Sequence, residues 1–214
     1  MFSSSAQQLS SSDKNYLIEE TDNSIKCTIP VNTPNFYDFC KGIDHLEIKG
    51  VIDSFVSKKL AEYGVKQNIE RYDIGEMVKN SCDSFVSKRS VEIGTNLEIL
   101  VNIKRENDAV IVKFKDNGKG LDTPGKFFKV SDIVNQSWSS KTYKFFGGNK
   151  IGLEQMNRSI ERQGGTMQLK KRKNGGCAVY VKFFSDNKTN AKVVDDQVNV
   201  NEKQQNEPEN CSIM

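Results

Sequence analysis

The sequence predicts an α+β fold, a two-layer sandwich in which one mostly antiparallel sheet lies under a layer of helices. Three observations predict it. Apolar and polar residues alternate in a pair of segments near 97–115 joined by a short polar turn, and a second pair near 166–184 is joined by a glycine-rich turn. Apolar residues recur at helical spacing in three further stretches. The order of these segments is strand, helices, strand pair, irregular stretch, helix, strand pair, which suits helices laid on one sheet.

Each element has its own signal. Residues 1–14 are rich in Ser and Gln and poor in large apolar groups, so they are expected to be a disordered tail. Ser24 to Ile29 alternates, with Ile25, Cys27 and Ile29 on one face, and Pro30 and Pro34 end this strand. Asn35 to Gly42 is a short helix at best. Val51 to Tyr63 is a helix, because Ile52, Val56 and Leu60 recur every four residues with Val51 and Phe55 beside them, and Gly64 stops it. The next helix carries Ile74, Met77, Val78, Ser81 and Phe85 and reaches about Lys88, with Asp73 as its candidate cap and Gly75 weakening its start. Leu97 to Lys104 and Ala109 to Lys115 form a hairpin through Arg105-Glu106-Asn107-Asp108. Residues 121–150 have no clear period and hold Pro124 and the single Trp, Trp138; so long an irregular stretch reads as a functional lid or as disorder. Leu153 to Gln163 is a helix closed by Gly164-Gly165. Thr166 to Arg172 and Cys177 to Phe184 are a second hairpin around Asn174-Gly175-Gly176. The chain then turns polar and acidic. The organisation expected is a tail over 1–14, one domain over 15–185 and a flexible tail over 186–214.

Composition narrows the class. A body of about 170 residues is long enough to bury one core. The net charge is +3, with acids and bases mixed along the 214 residues, so there is no basic stripe of the kind that marks nucleic-acid binding. Five cysteines, at 27, 40, 82, 177 and 211, are odd in number and form no Cys-x-x-Cys pair, which points to reduced cytosolic thiols. A zinc site is disfavoured because His45 is the single histidine. No apolar run approaches the ~20 residues that span a bilayer, and no signal peptide is visible.

The chemistry centres on Asp116-Asn117-Gly118-Lys119-Gly120-Leu121. A strongly alternating strand delivers a carboxylate to its end, and a loop with glycines follows, through which a ligand can approach the backbone. Alone this is also an ordinary turn. Two further stretches raise its value. Upstream, Glu76 and Asn80 stand four residues apart on a helix and share a face, with Asp83 nearly on it. Downstream, Gly147-Gly148-Asn149-Lys150-Ile151-Gly152-Leu153 opens a helix, where backbone amides and the helix dipole favour phosphate.

A Glu and Asn helix, then strand-Asp-x-Gly-x-Gly, then a glycine-rich helix entrance resembles the three motif boxes of the GHKL ATP-binding superfamily of gyrase, the ninety-kilodalton heat-shock chaperone, histidine kinases and MutL. The resemblance spans roughly residues 15 to 185. It implies a Bergerat-type fold, ATP and Mg2+, with Glu76 as general base, Asn80 as the Mg2+ ligand and Asp116 as the acceptor for the adenine amino group. Asp83, Gly118, Gly120, Gly148, Lys150, Ile151, Gly152 and Leu153 join the nucleotide site. Its short N-terminal part is similar to anti-sigma-factor serine kinases, and its final hairpin to histidine kinase catalytic domains. The bland alternatives are that Glu76 completes a capping box with Asp73, Asn80 is solvated, and Asp116 caps a hairpin. Two positions depart from the pattern. Lys150 replaces a glycine, and either reaches the phosphates as a point charge or stiffens the lid and weakens binding. Cys177 stands where histidine kinases commonly carry a Thr that helps hold the adenine. Lys141 and Lys144 are further lid cations.

The resemblance implies a phosphotransferase acting on a protein partner, with an ATP-gated switch or slow ATPase, and a degenerate non-binding scaffold, as alternatives. His45, in His-Leu-Glu, is favoured as structural or exposed over a phospho-acceptor, since about thirty residues separate it from Glu76. The chain ends Cys211-Ser212-Ile213-Met214, which fits the Cys-aliphatic-aliphatic-X prenylation pattern loosely at Ser212 and well at Ile213. One prenyl group anchors only marginally. The expectation is a cytoplasmic protein with reversible, partial membrane association.

Overall fold

The computed structural model describes residues 7–8, 16–30, 43–86, 96–118, 127–129, 151–172 and 175–184. Among the described residues eight strands form one sheet: β1 (Gln7–Gln8), β2 (Leu17–Thr21), β3 (Ser24–Ile29), β4 (Leu97–Glu106), β5 (Ala109–Asp116), β6 (Phe127–Lys129), β7 (Thr166–Lys171) and β8 (Cys177–Phe184). Their order across the sheet is β1-β2-β3-β4-β5-β8-β7-β6, and every neighbouring pair is antiparallel. Among the described residues three helices accompany it: α1 (Ile43–Glu62), α2 (Arg71–Val86) and α3 (Ile151–Arg162). The α+β sandwich read from the sequence is the fold observed.

Alternation sets the core. Ile25, Cys27 and Ile29 of β3, Leu97, Ile99, Val101 and Ile103 of β4, and Val110, Val112 and Phe114 of β5 are buried at every second position. They meet Ile48, Ile52, Phe55, Val56 and Leu60 of α1, Ile74, Met77, Val78 and Phe85 of α2, and Met156 and Ile160 of α3. Asp116 continues the buried row of β5 by one step. The same alternation that builds the core therefore aims its carboxylate toward the helical layer.

Two helix stops follow their sequence signals. Gly64 (φ 72) and Gly164 (φ 76) take the left-handed conformation, and the paired bonds Val65 N to Leu60 O with Gly64 N to Ala61 O, and Gly165 N to Ile160 O with Gly164 N to Glu161 O, are Schellman closures. The β4–β5 turn is tighter than expected. Glu106 pairs with Ala109 across Asn107-Asp108, and Asn107 has φ 53.

Other boundaries differ from expectation. α1 starts at Ile43, not near Val51, because Gly50 lies inside it; a Cβ there would stand 3.3 Å from the Arg71 guanidinium, so this glycine allows close approach and does not break the helix. α2 starts at Arg71, and Ile74 N bonds to Glu70 O, so Asp73 is in the first turn and is not the cap. Gln7 and Gln8, within the segment read as a disordered tail, pair with Glu20 and Glu19 of β2. Phe127 to Lys129, within the stretch read as aperiodic, pair with β7. Both additions are main-chain pairings at the two edges of the sheet, which need no alternating pattern. The segment 35–42, the remainder of the expected lid with Trp138, Lys141 and Lys144, and the tail from 186 onward lie outside the described residues.

Candidate active site

α2 organises the site. Asp73, Glu76, Asn80 and Asp83 stand three and four residues apart and share one face. Asp73 and Asp83 are buried, whereas Glu76 and Asn80 are half-buried. Oε1 of Glu76 accepts a bond from Lys79 Nζ at 2.9 Å. Its other oxygen lies against the second residue of α3, since a Cβ built on Gly152 would stand 2.6 Å from Glu76 Oε2. A glycine at the entrance of α3 is thus what lets the Glu76 carboxylate sit at that helix's positive end.

The far end of α2 meets the Asp116 loop in the same way. A Cβ on Gly118 would stand 2.4 Å from Ser84 Oγ, 2.7 Å from Ser84 C and 2.8 Å from Phe85 N. Gly118 therefore serves the approach of its loop to the α2 backbone. Asp116 is fixed from two sides. Its Oδ1 accepts the amides of Gly118 at 2.9 Å and Cys177 at 3.3 Å. Its carbonyl accepts Arg172 Nη1. Asn117 is structural: it accepts Glu98 N at 2.9 Å and donates to Asn96 O at 2.8 Å, tying the end of β5 to the start of β4. Asp116 is thus more than a hairpin cap, since its carboxylate ties its own loop to β8.

The electrostatics follow from burial. The Cys177 thiol is pushed up to about 12 by burial first and by the Asp116 carboxylate second. Cys27, in the core, is raised to about 12 by burial. Asp73 is raised from 3.8 to about 6, chiefly by burial and then by the Glu70 charge, while the Ser159 hydroxyl donates to Glu70 Oε1 at 2.9 Å. Asp73 lines a cleft of about 770 Å³ with Glu70, Tyr72, Gln155, Arg158, Ser159, Glu161 and Arg162, between the start of α2 and α3. Neither Glu76 nor Asp116 lines that cleft, so it is not the site the motifs define.

Several residues singled out in the sequence are thus brought onto one helix. Glu76 meets Gly152, and Gly118 with its Asp116 meets the last turn of α2. Ile151 opens α3, and Leu153 packs on the core. Gly120, Gly148, Lys150 and Cys211 lie outside the described residues. Sequence reasoning missed Lys79, Asn117 and Arg172. Lys79 carries an i,i+3 signal to Glu76. Arg172 carries none, because its partner is a carbonyl 56 residues away.

This frame is that of a known class. Residues 71–187 match the family described as histidine kinase-, DNA gyrase B- and HSP90-like ATPase. That is more than half of the chain. The chain belongs to this family, and it is an ATP-binding protein of the GHKL type. Among solved structures, the nucleotide-free catalytic domain of histidine kinase ThkA is similar, with 15% identity over 66% of this chain and 91% of that one, at a TM-score of 0.36. No curated protein matches significantly.

Proposed function

We propose that the protein binds Mg-ATP along the polar face of α2 and transfers the γ-phosphoryl group to a partner protein. The observation that carries this reading is the double docking of α2, with the Asp116 loop at Ser84–Phe85 and the start of α3 at Glu76. Glu76 and Ser84 are about 12 Å apart along the helix axis, which suits an extended nucleotide with its base at Asp116 and its phosphates at α3.

The residues then have distinct tasks. Asp116 accepts the adenine amino group and disfavours a base that presents a carbonyl at that edge. The amides at the entrance of α3 hold phosphate oxygens. The described residues contain no cluster of three His, Cys, Asp or Glu side chains arranged for a metal. Asn80 would supply the protein oxygen for Mg2+, a cation that commonly keeps waters and takes phosphate oxygens. When bound, the cation neutralises phosphate charge. Glu76 orients the acceptor and takes its proton as the acceptor bonds to phosphorus and the ADP oxygen leaves. Positioning and charge neutralisation do most of the work.

Purified protein with Mg2+ and γ-labelled ATP, alone and with cell extract, tests this reading. Label on a protein supports transfer, and free phosphate alone supports a slow ATPase or switch. No binding at millimolar ATP leaves a scaffold. Glu76→Gln keeps ATP binding and loses turnover if Glu76 is the base, while unchanged turnover removes it from the mechanism. The prenylation of Cys211 is a separate proposal. Intact mass of protein made in a eukaryotic cell tests it, and a mostly unmodified terminus returns the protein to the cytosol.

A further inference from the structure

We infer that Arg172 is a positioning residue that sets adenine selectivity through the main chain of Asp116; the inference rests on the reading of Asp116 as the adenine anchor. Arg172 follows the last residue of β7. Its amide donates to Gly176 O at 3.1 Å and closes the base of the β7–β8 hairpin. Its guanidinium reaches to the carbonyl of Asp116 at the end of β5, the strand on the far side of β8. That reach depends on Gly176. Gly176 has φ +82, and a Cβ there would stand 1.9 Å from the Asp116 carbonyl oxygen. The hairpin base can therefore lie directly on the end of β5.

Three contacts among the described residues then help fix Asp116. The guanidinium holds its carbonyl, and the Gly118 and Cys177 amides hold Oδ1. Two of the three come from the hairpin base. A cationic donor to a carbonyl is stronger than a neutral one. Fixing the carbonyl fixes the peptide plane that follows Asp116, and with it the direction in which Cα projects the carboxylate. Base discrimination by one carboxylate needs that direction held to within about half an ångström. Arg172 touches no nucleotide atom in this account and acts through Asp116.

The experiment compares the full chain with Arg172→Ala, Arg172→Lys and Asp116→Asn. Competition of ATP and GTP against a fluorescent ATP analogue gives affinities, and melting temperature is read alongside. Arg172→Ala is expected to raise the ATP Kd about tenfold, the scale of one modest hydrogen bond, and to lower the ATP-over-GTP preference by a similar factor. Arg172→Lys, which keeps a cationic donor, is expected to restore part of both. If Arg172→Ala weakens ATP and GTP equally, the residue is hairpin glue and the inference falls. It falls also if Asp116→Asn loses ATP while Arg172→Ala binds as the parent does. If Asp116→Asn itself binds and discriminates as the parent does, the adenine reading fails and takes this inference with it.

Discussion

Gly152→Ala separates fold from chemistry at the proposed base. The added methyl would stand 2.6 Å from Glu76 Oε2 and 3.2 Å from Cδ. Ordinary carbon contacts need about 3.5 Å or more, so the carboxylate must retreat by roughly 1 Å. It is the far end of a flexible side chain, and leaving its rotamer well costs about 0.5–1.5 kcal/mol. The substitution also relieves the glycine penalty of a helix, which is about 1 kcal/mol in an interior and less in a first turn. The two effects offset, so the melting temperature should move by less than about 4 °C in a domain of this size. Turnover has no such compensation. A misplacement of about 1 Å can cost about 100-fold, and general-base assistance as a whole is worth about 100- to 10,000-fold. Steady-state release of label from γ-labelled ATP, with nucleotide affinity read separately, is the assay. A turnover within twofold of the parent's at an unchanged melting temperature would refute the placement of Glu76 against α3.

Three further outcomes are expected. Gly118→Ala meets backbone atoms of Ser84 and Phe85 as well as the Ser84 hydroxyl, so it should cost about 1–3 kcal/mol, read by urea unfolding, and weaken ATP binding as well. Cys177 and Cys27, both raised to about 12, should resist iodoacetamide at pH 8 in the folded protein and react once it is unfolded, by mass spectrometry. Asp73 is raised from 3.8 to about 6, so its folded form binds the proton more tightly; its contribution to stability is complete below about 4 and is lost as pH rises through about 6. Asp73→Asn should therefore match the parent near pH 4 and exceed it at pH 8 by at most roughly 3 kcal/mol in urea unfolding, and equal stability at both pH values would remove Asp73 as a titrating group.

What the sequence showed depended on whether a contact leaves a local trace. β3, β4 and β5 were legible because each carries a buried row at every second position, and β8 from its apolar run after the Gly175-Gly176 turn. The ends of α1 and α3 were legible because left-handed closure all but demands glycine. The start of α1 was obscured by Gly50, a residue that weakens the helical signal although it lies inside the helix. Yet Ile48, buried four residues before Ile52, extends the apolar stripe across that glycine. β1 and β6 are edge additions held by main chain, so their side chains carry no period. Of the proposed site, Glu76, Asn80 and Asp116 were singled out from residue type and spacing. The contacts of Lys79 and Arg172 were not singled out, and the second joins positions 56 apart.

The glycines explain why the motif boxes are read as glycine boxes while acting through other residues. Gly118 has its missing side chain filled by the α2 backbone, Gly152 by the Glu76 carboxylate and Gly176 by the Asp116 carbonyl. In each case the absent Cβ sets a distance between two elements. Glu76 is held by its own helix, but its position relative to α3 is decided at residue 152. Asp116 is held by its own strand, but its orientation is decided at residues 118 and 176. A polar residue that must meet a ligand to within a fraction of an ångström is better placed by such steric stops than by hydrogen bonds alone, because repulsion rises far more steeply with distance than a hydrogen bond weakens. On the proposed reading the polar residues carry the chemistry, and the glycines set the distances at which those residues are held.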